Sequence, residues 1–232
     1  MRLILVGCEY SGTTTLAVAI CKWGQEVMGG GFDFFLLHDH YKFPHTSGHG
    51  HEMTEEEQRQ LLAISPPLKE MVQRHNIYYH IKPTNYERPD HILIGLHIED
   101  AVYGPLYFGY GREDQPNSRK VVSPLVEGEI LRYAPDTVLV LVEAAPEVIR
   151  RRMRENPHQN AVLQEKDVEL VLRRFREEYE ESSIRNKIEL DTSSATIEKT
   201  VLDFAARVDP FLTEADRLRI LVERARRDRD WL

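Results

Sequence analysis

Cysteine is nearly absent from this chain: of 232 residues only Cys8 and Cys21 are cysteine. Two thiols so close in sequence exclude the disulfide framework of a small secreted domain. Long apolar runs are missing as well. None approaches the roughly 20 residues that a membrane-spanning helix needs, and the apolar opening stretch is too short for a signal peptide. Positive charge is in deficit, the net charge being −8, which argues against a general nucleic-acid-binding surface. The expectation is a soluble cytoplasmic protein with neither membrane nor nucleic acid as partner. Its 41% hydrophobic and 29% charged residues suit one large domain, or a domain with a small insertion.

One more absence is local. Residues 3–15 read as an aliphatic strand running into G-x-x-x-x-G, matched by Gly7 and Gly12, with Thr14 in the hydroxyl position. Thr13 stands where a phosphate-binding loop carries lysine. In such a loop the glycines let successive backbone N–H groups face a polyphosphate, and the lysine adds a mobile positive charge. Here the cradle is retained without that charge. Leu16, Ala19, Ile20, Trp23 and Val27 follow at helical spacing, so a helix N-terminus would add its partial positive charge to the bound anion.

Further along, FDFFLL (32–37), HILIGLHI (91–98), TVLVLV (137–142) and KIELD (187–191) read as buried strands. Helical patterns lie between them, near 54–64, 67–75, 123–133, 146–155 and 166–184, and again near 195–208 and 213–230. Thr54 with Glu57 spells a capping box. A loop rich in glycine and tyrosine is expected at 104–120. The alternation predicts an α/β protein: a three-layer, five-stranded parallel sheet with helices on both faces. Ligands in such sheets sit at the carboxyl ends of strands. The loop at 7–14, His38-Asp39-His40, Glu99-Asp100 and Glu143 all fall there.

These parts in this order resemble the P-loop nucleoside and nucleotide kinases, in the thymidylate kinase and deoxynucleoside kinase branch. The likeness rests on the loop, on PDTVLVLVEAAPEVIRRRMRENP as strand, loop and arginine-bearing lid helix, on HIEDAVYGPLYFGYG, and on NKIELDTSS near the base. It implies a kinase-like domain over 1–212, with a substrate-covering insertion at about 41–90 and a lid at about 146–165, followed by a C-terminal helical extension, 213–232. It implies transfer of the γ-phosphate of ATP, or another nucleoside triphosphate, to a nucleoside, nucleoside monophosphate or other small acceptor.

On that resemblance Gly7, Ser11, Gly12, Thr13, Thr14 and Thr15 would bind the triphosphate. Thr14 and Asp100 would hold Mg²⁺, with Glu99 competing for the acidic role. Asp39 would act as base or orient the acceptor hydroxyl. The missing cation would come from the lid, where Arg150, Arg151, Arg152 and Arg154 lie, Arg151 and Arg154 being the chosen pair. Histidines 38, 40, 45, 49 and 51 match no closed zinc signature and suit a substrate-facing loop. Tyr41, Phe43, Tyr78, Tyr79, Tyr103, Tyr107 and Phe108 are candidates to stack a base, or core residues. A homodimer is compatible with the long charged helices. Two alternatives stay open: a sulfotransferase using S-G-T-T-T-L (11–16), and a nucleotide-binding protein without turnover.

Overall fold

The computed structural model describes residues 1–29, 54–158 and 161–229. Its sheet is parallel throughout, in the order β2-β1-β3-β4, with β1 Arg2–Val6, β2 His91–Ile94, β3 Val138–Glu143 and β4 Asn186–Asp191. Four strands therefore stand among the described residues where five were expected. The segment expected as the remaining strand, 32–37, lies outside them. No helix of the described residues is long and apolar enough to cross a membrane.

Side chains alternate across a strand, and both faces of this sheet are apolar. Leu3 and Leu5 join Val138, Val140 and Val142 in one core, against Leu16 and Ile20 of α1 (Thr13–Met28) and Phe204 of a helix introduced below. Ile4 and Val6 join Leu139 and Leu141 in the other. Burial on both sides is why these strands read as unbroken aliphatic runs. Each fully buried aliphatic side chain contributes roughly 1.5–3 kcal/mol.

On the second face lie α4 (Leu96–Tyr103), α5 (Arg119–Tyr133) and α7 (Val168–Glu181), while α6 (Pro146–Glu155) leads toward the lid segment. On the first face lie α1 and α8 (Ile197–Val208), the latter carrying Phe204, with α9 (Glu214–Arg229) packed against α1. The helices α2 (Glu55–Ala63) and α3 (Pro66–His80) precede β2. The predicted capping box is present: Thr54 accepts from the Glu57 N–H, and the Glu57 carboxylate accepts from the Thr54 N–H.

Two local expectations are corrected. Strand β2 ends at Ile94 rather than 98, because Gly95 (φ +76°) and Leu96 (φ +48°) turn the backbone through the left-handed region into α4. A Cβ at Gly95 would lie 1.7 Å from the Glu99 carboxylate, so glycine is required for both the turn and the contact. Residues 104–108, expected in a loop, continue α4 as a π-helical turn.

Strand β1 lies between β2 and β3, so the chain leaves it toward opposite edges of the sheet. That reversal opens a crevice at the carboxyl end of β1, where residue 7 begins.

Candidate functional site at the carboxyl end of the first strand

The loop after β1 is shaped by close packing and two left-handed residues. A Cβ on Gly7 would meet the Val142 carbonyl at 2.3 Å and Ser11 Oγ at 2.7 Å. Ser11 N donates to the Cys8 carbonyl at 2.9 Å. Tyr10 (φ +66°) and Gly12 (φ +94°) then reverse the chain into α1. No side chain caps that helix, so its first-turn N–H groups have no partner within the helix. They border a cavity of about 570 Å³ lined by Gly7, Glu9 through Leu16, Gly95, Glu99, Arg152, His158 and the Thr192–Thr200 segment.

All six residues expected to bind triphosphate, Gly7, Ser11, Gly12, Thr13, Thr14 and Thr15, line this cavity. Of the lid arginines, Arg152 lines it and the chosen pair does not. Arg151 is exposed, 4.0 Å from Glu155, and Arg154 is exposed, 2.9 Å from Glu165. Arg150 reaches Glu169 across the same surface. Arg152 donates to the Tyr10 carbonyl at 2.8 Å, the Thr192 carbonyl at 2.6 Å and Thr192 Oγ1 at 3.1 Å. Thr192 Oγ1 donates to the Ser11 carbonyl at 2.7 Å. Burial, and secondarily the Arg151 charge, lower the Arg152 pKa against the pull of Asp191. The signal for Arg152 was available: Val148 and Ile149 are the buried residues of α6, and residue 152 follows them at i+4 and i+3, on the same helix face.

Asp100 is also elsewhere. It is fully buried, accepts from Tyr110 Oη at 2.7 Å and pairs with Arg119 Nε at 2.6 Å. Arg119 in turn holds Glu70 at 3.0 Å. The neighbour of Asp100, Glu99, does line the cavity, placed there by the turn at Gly95. Glu143 pairs with Arg176 and is absent from the lining. Asp39, the histidines at 38–51, Tyr41 and Phe43 lie outside the described residues. Among the other aromatic candidates, Tyr103 and Phe108 are buried in the core, while Tyr78 and Tyr79 are partly exposed.

Sequence reading missed Glu9 and Tyr10, which fill variable positions of the loop pattern. Glu9 Oε2 accepts from Val162 N at 3.0 Å and Leu163 N at 2.6 Å. Among the described residues its Oε1 has no hydrogen-bond partner, and it lies 3.8 Å from His158 Nδ1. Glu9 N donates to Tyr103 Oη at 3.0 Å. The Tyr10 ring stacks on His158, and Tyr10 Oη accepts from His158 N at 3.0 Å. The phosphate loop thus holds the segment after α6 over the cavity with its own side chains. Burial, and then the Glu9 charge, raise the pKa of the neighbouring Cys8 thiol.

No protein-family model and no curated protein sequence matches the chain. Solved structures do. Deoxyadenosine kinase from M. mycoides with bound dATP superposes with a TM-score of 0.58 at 10% identity, covering 90% of this chain and 100% of the other. The YorR protein of Bacillus subtilis, in complex with phosphorylated GDP, gives 0.56 at 13% identity, covering 92% and 100%. Thymidylate kinase from Candida albicans gives 0.54 at 13% identity, covering 90% and 91%. On these superpositions the chain has the fold of the P-loop nucleoside and nucleotide kinases.

Proposed function

We propose that the protein is a nucleotide-binding phosphotransferase: a kinase that moves the γ-phosphoryl group of ATP, or another nucleoside triphosphate, to a small acceptor. The observation that carries this reading is the uncapped N-terminus of α1, continuous with the Gly7–Gly12 loop and open to a cavity of about 570 Å³. Backbone N–H groups and a helix N-terminus make an anion site without any lysine. Thr192, Ala195, Ile197 and Thr200 line the same cavity and would contact the nucleoside end of the donor.

Phosphoryl transfer is mostly positioning and charge neutralisation. Thr13 donates a hydrogen bond at most, so the charge a lysine would add falls to Arg152 and to His158, which also lines the cavity. Mg²⁺ takes few protein ligands and keeps waters and phosphate oxygens. Thr14, at the cavity wall in the first turn of α1, fits that role; Asp100, closed into its pair with Arg119, does not. Bound there, the ion would neutralise charge on the β- and γ-phosphates.

Calorimetry with ATP, GTP and dATP, with and without Mg²⁺, tests the donor half of the proposal. Saturating triphosphate should raise stability by a few kcal/mol. Absence of both heat and stabilisation with all three would overturn it. The alternative without turnover keeps one specific support, Thr13 itself. Tight triphosphate binding with no transfer to any acceptor, together with transfer appearing in Thr13→Lys, would favour that alternative. Deoxyadenosine kinase and thymidylate kinase are among the structures to which the chain is similar, which disfavours the sulfotransferase.

A further inference from the structure

Helix α3 falls in the segment expected to cover the substrate, and the buried residues of its first half are not apolar. Glu70, Gln73, Ile77 and His80 are its buried residues, spaced to share one face of the helix. Ile77 is the one apolar residue among them, and it stands toward the C-terminal end. Leu68, Met71, Tyr78 and Tyr79 are exposed.

Charge holds the first half instead. Arg119, at the start of α5, has a side chain 3% exposed. Its Nη1 donates to Glu70 Oε1 at 3.0 Å and to the Asn117 carbonyl at 3.2 Å, and its Nε lies 2.6 Å from Asp100 Oδ2 in α4. Asn117 Nδ2 donates to the other oxygen of Glu70 at 3.3 Å, and Tyr110 Oη donates to Asp100 Oδ1 at 2.7 Å. Arg74 also lies 3.3 Å from Glu70, but that pair is internal to α3 and cannot anchor it. One guanidinium thus joins three helices. The loop before α5 is shaped around it. A Cβ at Gly111, which sits at φ +82°, would meet Arg119 Cγ at 2.9 Å. Pro66, the first residue of α3, packs against Gly109 of the same loop, where a Cβ would come within 3.2 Å of the proline ring.

A helix that slides over an apolar surface exchanges one set of contacts for a similar one. Moving Glu70 off Arg119 has no such substitute, because both charges would stay out of water with their pairing lost. We propose that Arg119 locks α3 to α4 and α5, so that α3 is a fixed wall of the molecule and not a flap that closes when a ligand binds. The lock goes beyond the phosphotransferase reading and does not depend on it. Any rearrangement that a ligand drives in the expected covering segment, 41–90, leaves α3 in place.

The test follows the distance between α3 and the opposite side of the sheet in the full chain. Spin labels are placed at Met71→Cys in α3 and Leu202→Cys in α8, both exposed positions, with the buried Cys8 and Cys21 kept. Double electron–electron resonance should give one narrow distance distribution, unchanged when Mg²⁺ and the non-hydrolysable triphosphate analogue AMPPNP are added to saturation. Arg119→Met, which keeps an unbranched stem and removes the charge, should broaden that distribution. It should also raise amide exchange in residues 66–76 at least about tenfold, and by a larger factor than in β1 and β3. Glu70→Gln weakens α3's side of the lock alone and should do the same to a smaller extent, which keeps the test decisive if circular dichroism shows Arg119→Met unfolded. A distribution that shifts or splits on adding AMPPNP overturns the proposal. So does a folded variant whose distance distribution matches the parent, or whose exchange rises equally in α3 and in the strands.

Discussion

The Tyr10 ring lies flat on the imidazole of His158, centroids 4.0 Å apart and planes 18° from parallel. Tyr10 belongs to the phosphate loop and His158 to the segment after α6, so this stack joins the floor of the cavity to its cover. Tyr10 holds a left-handed backbone to make it, a conformation that costs a non-glycine residue about 1–2 kcal/mol. The cost is met by the stack, the His158 N–H bond and the carbonyl contact to Arg152.

Removing the stack should therefore release the cover. Tyr10→Ala is expected to raise amide hydrogen exchange at residues 156–158 and 161–163 several-fold, while exchange in β1 and β3 stays slow. Tyr10→Phe, which keeps the ring and loses only the hydroxyl, should shift exchange less. A stacked pair of this kind contributes about 0.5–1.5 kcal/mol, and exchange mass spectrometry resolves that difference. Equal behaviour of the two variants would contradict the assignment.

Arg152 is the joint between lid helix, phosphate loop and the segment after β4. A lysine cannot reproduce its fork. Arg152→Lys should lower stability by about 1–3 kcal/mol and weaken triphosphate binding about tenfold. Arg151→Ala and Arg154→Ala remove exposed ion pairs and should change stability by less than about 1 kcal/mol. Urea melts and titration calorimetry on the three variants check the ranking.

The two loop glycines should respond differently to alanine. At Gly7 the added methyl collides with the Val142 carbonyl, which belongs to the sheet and cannot move, so loss of a few kcal/mol and of triphosphate binding is expected. At Gly12 a Cβ meets nothing within 4 Å among the described residues; there the left-handed backbone resists, at about 1–2 kcal/mol. Thermal melts with and without ATP should separate the two cases.

Acid should unfold the protein in two stages. His91 is buried at the start of β2 and its pKa is lowered to about 4, first by burial and then by the Arg2 charge. An unfolded imidazole titrates near 6.5, so the unfolded chain binds more protons and stability falls as pH drops from 6.5 through 4. Glu127 is also buried; burial would raise its pKa, but bonds from His97, Ser182 and Ser183 lower it to about 2. Its contribution, of order 3 kcal/mol, is present above pH 4.5 and lost as pH falls through 2. Glu127→Gln should erase the lower stage and His91→Gln the upper, in melts recorded from pH 7 to pH 2.

The strands were legible because their cause is local. Val138–Leu141 are wholly buried, and a strand covered on both faces must be aliphatic at every position. The capping box at Thr54 and Glu57 was legible for the same reason. The turn at Gly95 was not: HILIGLHI continues the aliphatic run through residues 96–98, and the positive-φ turn at Gly95 and Leu96, with Glu99 folded against Gly95, ends the strand at Ile94. That contact also decided which of two adjacent acids reaches the cavity.

Residue order alone prescribed a glycine loop between a buried strand and a helix, since backbone freedom and apolar period act over a few neighbouring positions. It could not select among arginines 150, 151, 152 and 154, because a helix turns each to a different side. The packing of Val148 and Ile149 against the core aims residue 152 at the loop. Glu9 and Tyr10 were hidden for a related reason. Their partners, at 158, 162 and 163, stand some 150 residues away, and a contact across that separation exists only once the sheet has brought the ends of β1 and α6 together.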